Sequence, residues 1–247
     1  VIDRRILINY RVDKEVLRKY LPYPFRPKLV DNAGMAGICL IRLKEIRPKG
    51  IPAAMGISSE NGAHRIAVEW TENGMVKEGV FIPRRDTSSH LNALAGGRVF
   101  PGEHHLAAFT VNETRGRYEV AFKSADGTSL AVTALETDCL GPDSIFGSLE
   151  EASDFFKAGS AGFSPCGDGC TFEGLELITH EWKVTPLSVV EVHSSFFENK
   201  KRFPEGSIAF DNALLMKNIR HEWRSLEQKT PSRTKKDISW PSCLKGK

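Results

Sequence analysis

The sequence predicts a mainly β fold of the α+β class, a large antiparallel sheet closing into a cone or barrel with short helices on its flanks. Three observations carry this expectation. Nine or more segments have strand length and strand patterning, the helical segments are three and short, and compact turn signals rather than linkers join them. A barrel of that size can enclose a ligand cavity.

The elements follow in order. Residues 5–12 alternate as a strand, and 13–20 form a short helix with Asp13 as N-cap, stopped by Pro22 and Pro24. Strands at 25–31 and 35–47 flank Asn32-Ala33-Gly34. The second is apolar on both faces at Ile38, Cys39, Leu40 and Ile41, as a strand covered on both sides should be. Strands 64–71 and 75–82 meet at Glu72-Asn73-Gly74, a hairpin signal. Residues 86–95 read as a compact helix capped by Asp86 and stopped by Gly96. A meander of 105–113, 117–124 and 128–137 turns at Arg115-Gly116 and Ala125-Asp126-Gly127. Ser148-Leu149-Glu150-Glu151 is a capping box opening a helix that ends at Gly159. Strands at 173–184 and 187–198 follow, and periodicity leaves 211–225 open between helix and strand.

The chain has 247 residues, 40% hydrophobic and 26% charged, an ordinary balance for a soluble globular domain. Residues 1–227 read as that domain and 228–247 as a basic, aperiodic, disordered tail. The net charge of +3 comes from this end of the chain: residues 1–228 hold 28 basic against 30 acidic side chains, so no phosphate-binding surface and no nucleic-acid partner are expected. No apolar run suits a membrane span, and the charged start VIDRRILINYRVD is no signal peptide. The absent initiator Met suggests a trimmed start. Five cysteines without a secretory signal point to reduced thiols and a cytoplasmic setting. Cys166 and Cys170 form a C-x3-C pair in a glycine-rich loop, and no second pair at suitable spacing completes a zinc site.

GxGxxG, Walker, GxSxG and HExxH signatures are absent, so nucleotide chemistry and the common hydrolase schemes start low, and no cofactor or metal is expected. The segment 83–105 concentrates charge. Arg84-Arg85-Asp86 reads either as an arginine paired with a capping carboxylate or as a guanidinium that grips a carboxylate ligand through two parallel hydrogen bonds. His104 and His105 are neighbours on a strand and face opposite ways, so they do not readily share one metal ion. His105 shares its face with Ala107, Phe109 and Val111, and reads as a core histidine or one contacting a ligand. Glu60 is a loop surface acid or a catalytic one, and Lys77 and Lys123 are solvated strand lysines.

The stretches Asn9-Tyr10-Arg11-Val12-Asp13, Val16-Leu17-Arg18 and Leu21-Pro22, followed by Ala93-Leu94-Ala95-Gly96-Gly97-Arg98-Val99-Phe100-Pro101, resemble the acetoacetate decarboxylase-like superfamily. PRRDTSS, LNALAGGRVFPGEHH, SLEEASDFFKAGSAGFSP and FDNALLMKNIRHEW look like an uncharacterised branch of it. The resemblance covers roughly Arg4 to Trp223 and implies a barrel around an internal cavity. In the true decarboxylases, two adjacent lysines occupy the segment matching 95–100; one forms a Schiff base, and its pKa is depressed by the other. Gly96 and Gly97 stand at those positions here, and Arg98 cannot substitute because a guanidinium stays protonated. The family's substrate-gripping arginine corresponds to Arg4 or Arg5, and Glu60 is the candidate for its cavity glutamate.

These readings set the expectation. The chain is an acetoacetate decarboxylase-like protein whose cavity takes a small keto or carboxylate ligand without a lysine Schiff base. Arg84, Arg85, Arg98, Gly96 and Gly97 would bind it, with His105 as acid or base. The alternatives are a non-catalytic small-molecule-binding protein and a protein-interaction module, and a homo-oligomer stays open.

Overall fold

A computed structural model describes residues 1–46, 56–90, 93, 101–166 and 171–229. Fourteen strands form one sheet: β1 (Ile2–Asp13), β2 (Arg26–Pro27), β3 (Leu29–Val30), β4 (Ala33–Ile46), β5 (Ile57–Glu72), β6 (Met75–Thr87), β7 (His104–Thr114), β8 (Arg117–Ser124), β9 (Ser129–Glu136), β10 (Ala161–Pro165), β11 (Phe172–Thr179), β12 (Thr185–Ser194), β13 (Ile208–Ile219) and β14 (His221–Lys229). The order β6-β7-β8-β9-β12-β13-β1-β4-β5 returns to β6 through the β5–β6 pair, so nine of the described strands close a ring. The sheet is mixed rather than purely antiparallel. One edge of β6 is shared, Val80 and Phe81 pairing in parallel with β10 and Arg85–Thr87 in parallel with β7. Beyond β10, β11 and β14 extend the sheet as an arm outside the ring.

Alternation sorts the ring residues into a lumen and an outer face. Ile6, Ile8 and Tyr10 of β1, Ile38 and Leu40 of β4, and Ile66, Val68 and Trp70 of β5 share the inner cluster with Phe25, Phe81, Phe122, Phe163, Phe172, Phe196, Phe197 and Phe203. Leu7, Cys39, Ala63 and Leu214 lie on the outer face beneath α2 (Leu149–Lys157), which lays Ala152 and Phe156 on them. This explains the double-sided apolar middle of β4. It also explains why 211–225 resisted assignment: β13 buries Ala213 and Leu215 inward and Leu214 and Met216 outward, which erases the period.

Local signals behave as their chemistry demands. Asp13 caps α1 (Lys14–Tyr20) by accepting from the Glu15 and Val16 amides at 2.7 and 3.1 Å. Ser148 accepts from the Glu151 amide at 3.1 Å, while the Glu151 carboxylate reaches back to the Gly147 amide, one residue before the cap. Asn73 (φ 51°) and Gly74 (φ 76°) both sit in the left-handed region that a two-residue hairpin turn needs.

The predicted helix at 86–95 begins too early. Asp86 lies inside β6, which continues to Thr87, because its carboxylate is consumed by side chains across the sheet rather than by helix amides. A helical turn starts at His90, with the Ala93 amide on the Ser89 carbonyl at 3.0 Å. Gly96, Gly97 and Arg98 lie outside the described residues, as does Cys170. The segment 25–31 divides into two short strands, β11 ends at Thr179, and β12 ends at Ser194. Gln228 and Lys229, assigned above to the tail, complete β14, with Lys229 opposite Phe172.

Candidate functional site in the barrel lumen

One end of the lumen holds a closed ring of charges. Arg4 and Arg42 are register partners on β1 and β4, and Arg42 lies opposite Glu60 on β5. Like charges in register repel, and carboxylates resolve the conflict here. Arg4, with 2% of its side chain exposed, donates from Nη2 to Glu60 Oε2 at 2.6 Å and from Nη1 to Glu113 at the far end of β7. Arg42 donates from Nε to Glu60 Oε1 at 2.5 Å and from Nη2 to Glu113 Oε1 at 2.9 Å. Burial works against the Arg42 charge, but its bonds to Glu60 and Glu113 outweigh that and raise its pKa.

Lys217, opposite Arg4 on β13, donates to Glu136 at 2.6 Å, and Tyr118 donates to the same oxygen at 2.6 Å. The Glu136 hydrogen bond raises the Lys217 pKa, so this amine is protonated at neutral pH and is no nucleophile.

Deeper in the lumen lies a second polar group. Asp86 is fully buried and accepts from Arg84 Nη2 at 2.6 Å, Arg84 Nε at 3.0 Å and Ser124 Oγ at 2.6 Å. The opposite edge of Arg84 is held by Asp126 at 2.5 Å. His64 stands 3.6 Å from Asp86 and packs between Phe196, at 4.3 Å between ring centroids, Phe197 and Phe122. Neither ring nitrogen of His64 has a hydrogen-bond partner. Proximity to Asp86 favours an imidazolium and burial favours the neutral ring. Burial wins because Asp86 is already taken by Arg84 and Ser124. The His64 pKa falls to about 3, through burial first and then the Arg84, Arg202 and His105 charges.

The sequence-derived candidates scatter. Arg84 faces the lumen with its guanidinium committed to two carboxylates, whereas Arg85 faces outward, donating to the Pro101 carbonyl at 2.9 Å and to Ser164 at 3.4 Å. The two therefore cannot grip one ligand. Arg85 lines a cavity of about 40 Å³ with His104, Asn61, Ile41, Leu43 and Trp223. Burial, then the Arg85 charge, lowers the His104 pKa to about 4. His105 pairs in register with Asp86 and is half-buried on the lumen side with Ala107 and Phe109. Lys77 and Lys123 are exposed. Arg4 and Glu60, the arginine and glutamate suggested by the resemblance, do meet. Arg42, Glu113, His64 and Lys217 went unrecognised, although Glu60, Gly62 and His64 alternate in phase with the apolar run Ile66, Val68, Trp70.

The model of a family described as "Uncharacterized conserved protein", DUF2071, matches residues 2–206. The chain belongs to DUF2071. No curated protein matches it. Among solved structures, this DUF2071 protein is similar to acetoacetate decarboxylase from Legionella pneumophila, at 12% identity and a TM-score of 0.54 over 91% of this chain and 86% of that one. It is similar to an acetoacetate decarboxylase-like enzyme from Sphingomonas wittichii RW1, at 14% identity and a TM-score of 0.52 over 91% and 90% of the two chains. The enduracididine biosynthesis enzyme MppR, in complex with pyruvate, matches at 9% identity and a TM-score of 0.58 over 92% and 87%. At these identities the likeness establishes an acetoacetate decarboxylase-like fold for the DUF2071 chain.

Proposed function

We propose that this DUF2071 protein binds a small keto or carboxylate compound at the charged end of its lumen, and does so without a lysine imine. The observation that carries the reading is Arg4, a buried guanidinium held in position by Glu60 and by the more exposed Glu113. A ligand carboxylate is chemically equivalent to Glu113 and replaces it on Arg4 and Arg42, so that the guanidinium pair becomes the grip. Pyruvate in the similarly folded MppR supports a ligand of this size and charge. His105, half-buried on the lumen side, is the acid–base candidate, because His64 is locked neutral. Arg84 serves to position Asp86 and Ser124 rather than the ligand. The free thiols of Cys39 and Cys139 fit a cytoplasmic setting.

Calorimetric titration with pyruvate and acetoacetate, against uncharged acetone, tests the reading. Carboxylates should bind and acetone should not. Glu113→Gln, which removes the competing carboxylate, should tighten carboxylate binding roughly tenfold, the factor that about 1.4 kcal/mol represents. A panel of carboxylates that releases no heat with either protein would remove the proposal. Borohydride added with acetoacetate should give no reduced lysine adduct; a stoichiometric adduct at Lys217, Lys77 or Lys123 would restore imine chemistry.

A further inference from the structure

On the opposite face of the same sheet, away from the lumen, a second pair of arginines lies under α2, Arg65 buried and Arg5 half-buried. Arg5 follows Arg4 on β1 and so points outward, and Arg65 projects outward from β5. Both line a cavity of about 20 Å³ closed by Phe155, Phe156 and Lys28. Arg65 is 5% exposed; its Nη2 donates to the neutral amide of Asn9, its guanidinium lies 5.0 Å from the Phe156 ring centroid, and its Nε is buried without a partner. Arg5 donates from Nε to Cys39 Sγ at 3.0 Å, lies 5.6 Å from the Trp182 centroid, and leaves Nη1 buried without a partner. Among the described residues no carboxylate pairs with either guanidinium. Glu78, the acid lining the cavity, is bound to Lys28 at 2.7 Å. Burial, then the charge of Arg5, lowers the Arg65 pKa to about 10, which still leaves the group charged at neutral pH.

Two like charges lining one cavity, with Arg65 buried and Arg5 half-buried, and each keeping an N–H that no protein group accepts, are costly unless an anion joins them. We infer that this cavity is a binding site for a small inorganic monoanion of halide size, held between the Arg5 and Arg65 guanidiniums. Charge sets the class, since the cavity contributes an excess of positive charge. Size sets the member: the space admits about one water-sized group, which excludes phosphate and organic carboxylates. The two aromatic rings hold Lys28 and Arg65 on their faces, and so fix the cations that line the cavity. The site is independent of the lumen reading, since Arg4 and Arg5 face opposite sides of β1.

The test is crystallisation in sodium bromide with diffraction data collected at the bromine absorption edge. An anomalous peak within hydrogen-bonding distance of both the Arg5 and the Arg65 guanidinium is expected. In halide-free buffer, the melting temperature of the wild type should rise saturably with bromide. In Arg65→Met the apparent affinity should fall by at least about tenfold. A water without anomalous signal at that position would overturn the inference, as would a salt response that is unsaturable and identical in the two proteins. Saturation by phosphate but not bromide would also overturn it, by refuting the size argument. The crystallographic result stands on wild-type protein alone, so it decides the question even if Arg65→Met does not fold.

Discussion

At the scale of single residues, His64 is a neutral imidazole enclosed by Phe122, Phe196 and Phe197, and that has a consequence for acid stability. Its pKa is about 3 in the fold against an ordinary 6.5. The unfolded chain therefore binds a proton that the native state refuses, and stability falls as pH drops from about 6.5 toward about 3. Above pH 6.5 both states are neutral and the penalty vanishes. Between pH 7 and pH 5 the loss from this one side chain is about 2 kcal/mol. Urea unfolding of His64→Phe at the two pH values should show a smaller loss than the wild type by that amount. Equal losses in the two proteins would mean that His64 takes up a proton in place. His104, lowered to about 4 but less deeply buried, adds a smaller effect of the same sign that both proteins share.

At the scale of elements, α2 is short, and its position matters because Phe155 and Phe156 roof the outer arginines. Nine residues are too few for a helix to persist on propensity alone. Its supports include burial of Ala152 and Phe156 and the hydrogen bond that Ser148 Oγ accepts from the Glu151 amide. Ser148→Ala leaves that amide without its side-chain acceptor and should cost about 1 kcal/mol, read as a lower urea midpoint at unchanged slope. A reduced slope would instead indicate that the helix had already detached from the sheet. The hairpin of β7 and β8 is the other element with a role beyond its own pairing. It spans from Asp86 at one end, through Ser124, to Arg4 and Arg42 at the other, through Glu113.

For the whole molecule, closure of β5 on β6 makes the ring, and β10, β11 and β14 form an arm that rests on it. The last described residue ties the arm down. Lys229 pairs with Glu72 and lies 4.9 Å from the Trp70 centroid and 5.2 Å from that of Phe163. The same bond lowers the Glu72 pKa. Removing 230–247, a basic and aperiodic stretch, should leave the melting temperature unchanged. Removing 228–247 also takes Lys229, an ion pair and ring contact together worth about 1 kcal/mol, and should lower it by about 2 to 4 °C. Two truncations with the same melting temperature would show that Lys229 contributes nothing to holding the arm.

The sequence by itself determined the strands of the ring other than β13, the caps at Asp13 and Ser148, the Asn73-Gly74 turn and the covered middle of β4. Each depends on neighbours within a few residues, where period and turn chemistry act. Arg4 and Glu60 were legible through resemblance. Tertiary structure decided the rest. Glu113 reaches Arg4 across 109 residues of chain, and on its strand it resembles an ordinary solvent-facing acid. Asp86 had every local mark of a helix cap, yet Arg84 and Ser124 claim its oxygens, because a buried carboxylate must be satisfied by whatever donors surround it. Alternation alone put Arg84 and Arg85, or Arg4 and Arg5, on opposite faces. Ring closure made one of those faces a lumen, which separates the charged end proposed as a ligand site from the outer cavity beneath α2.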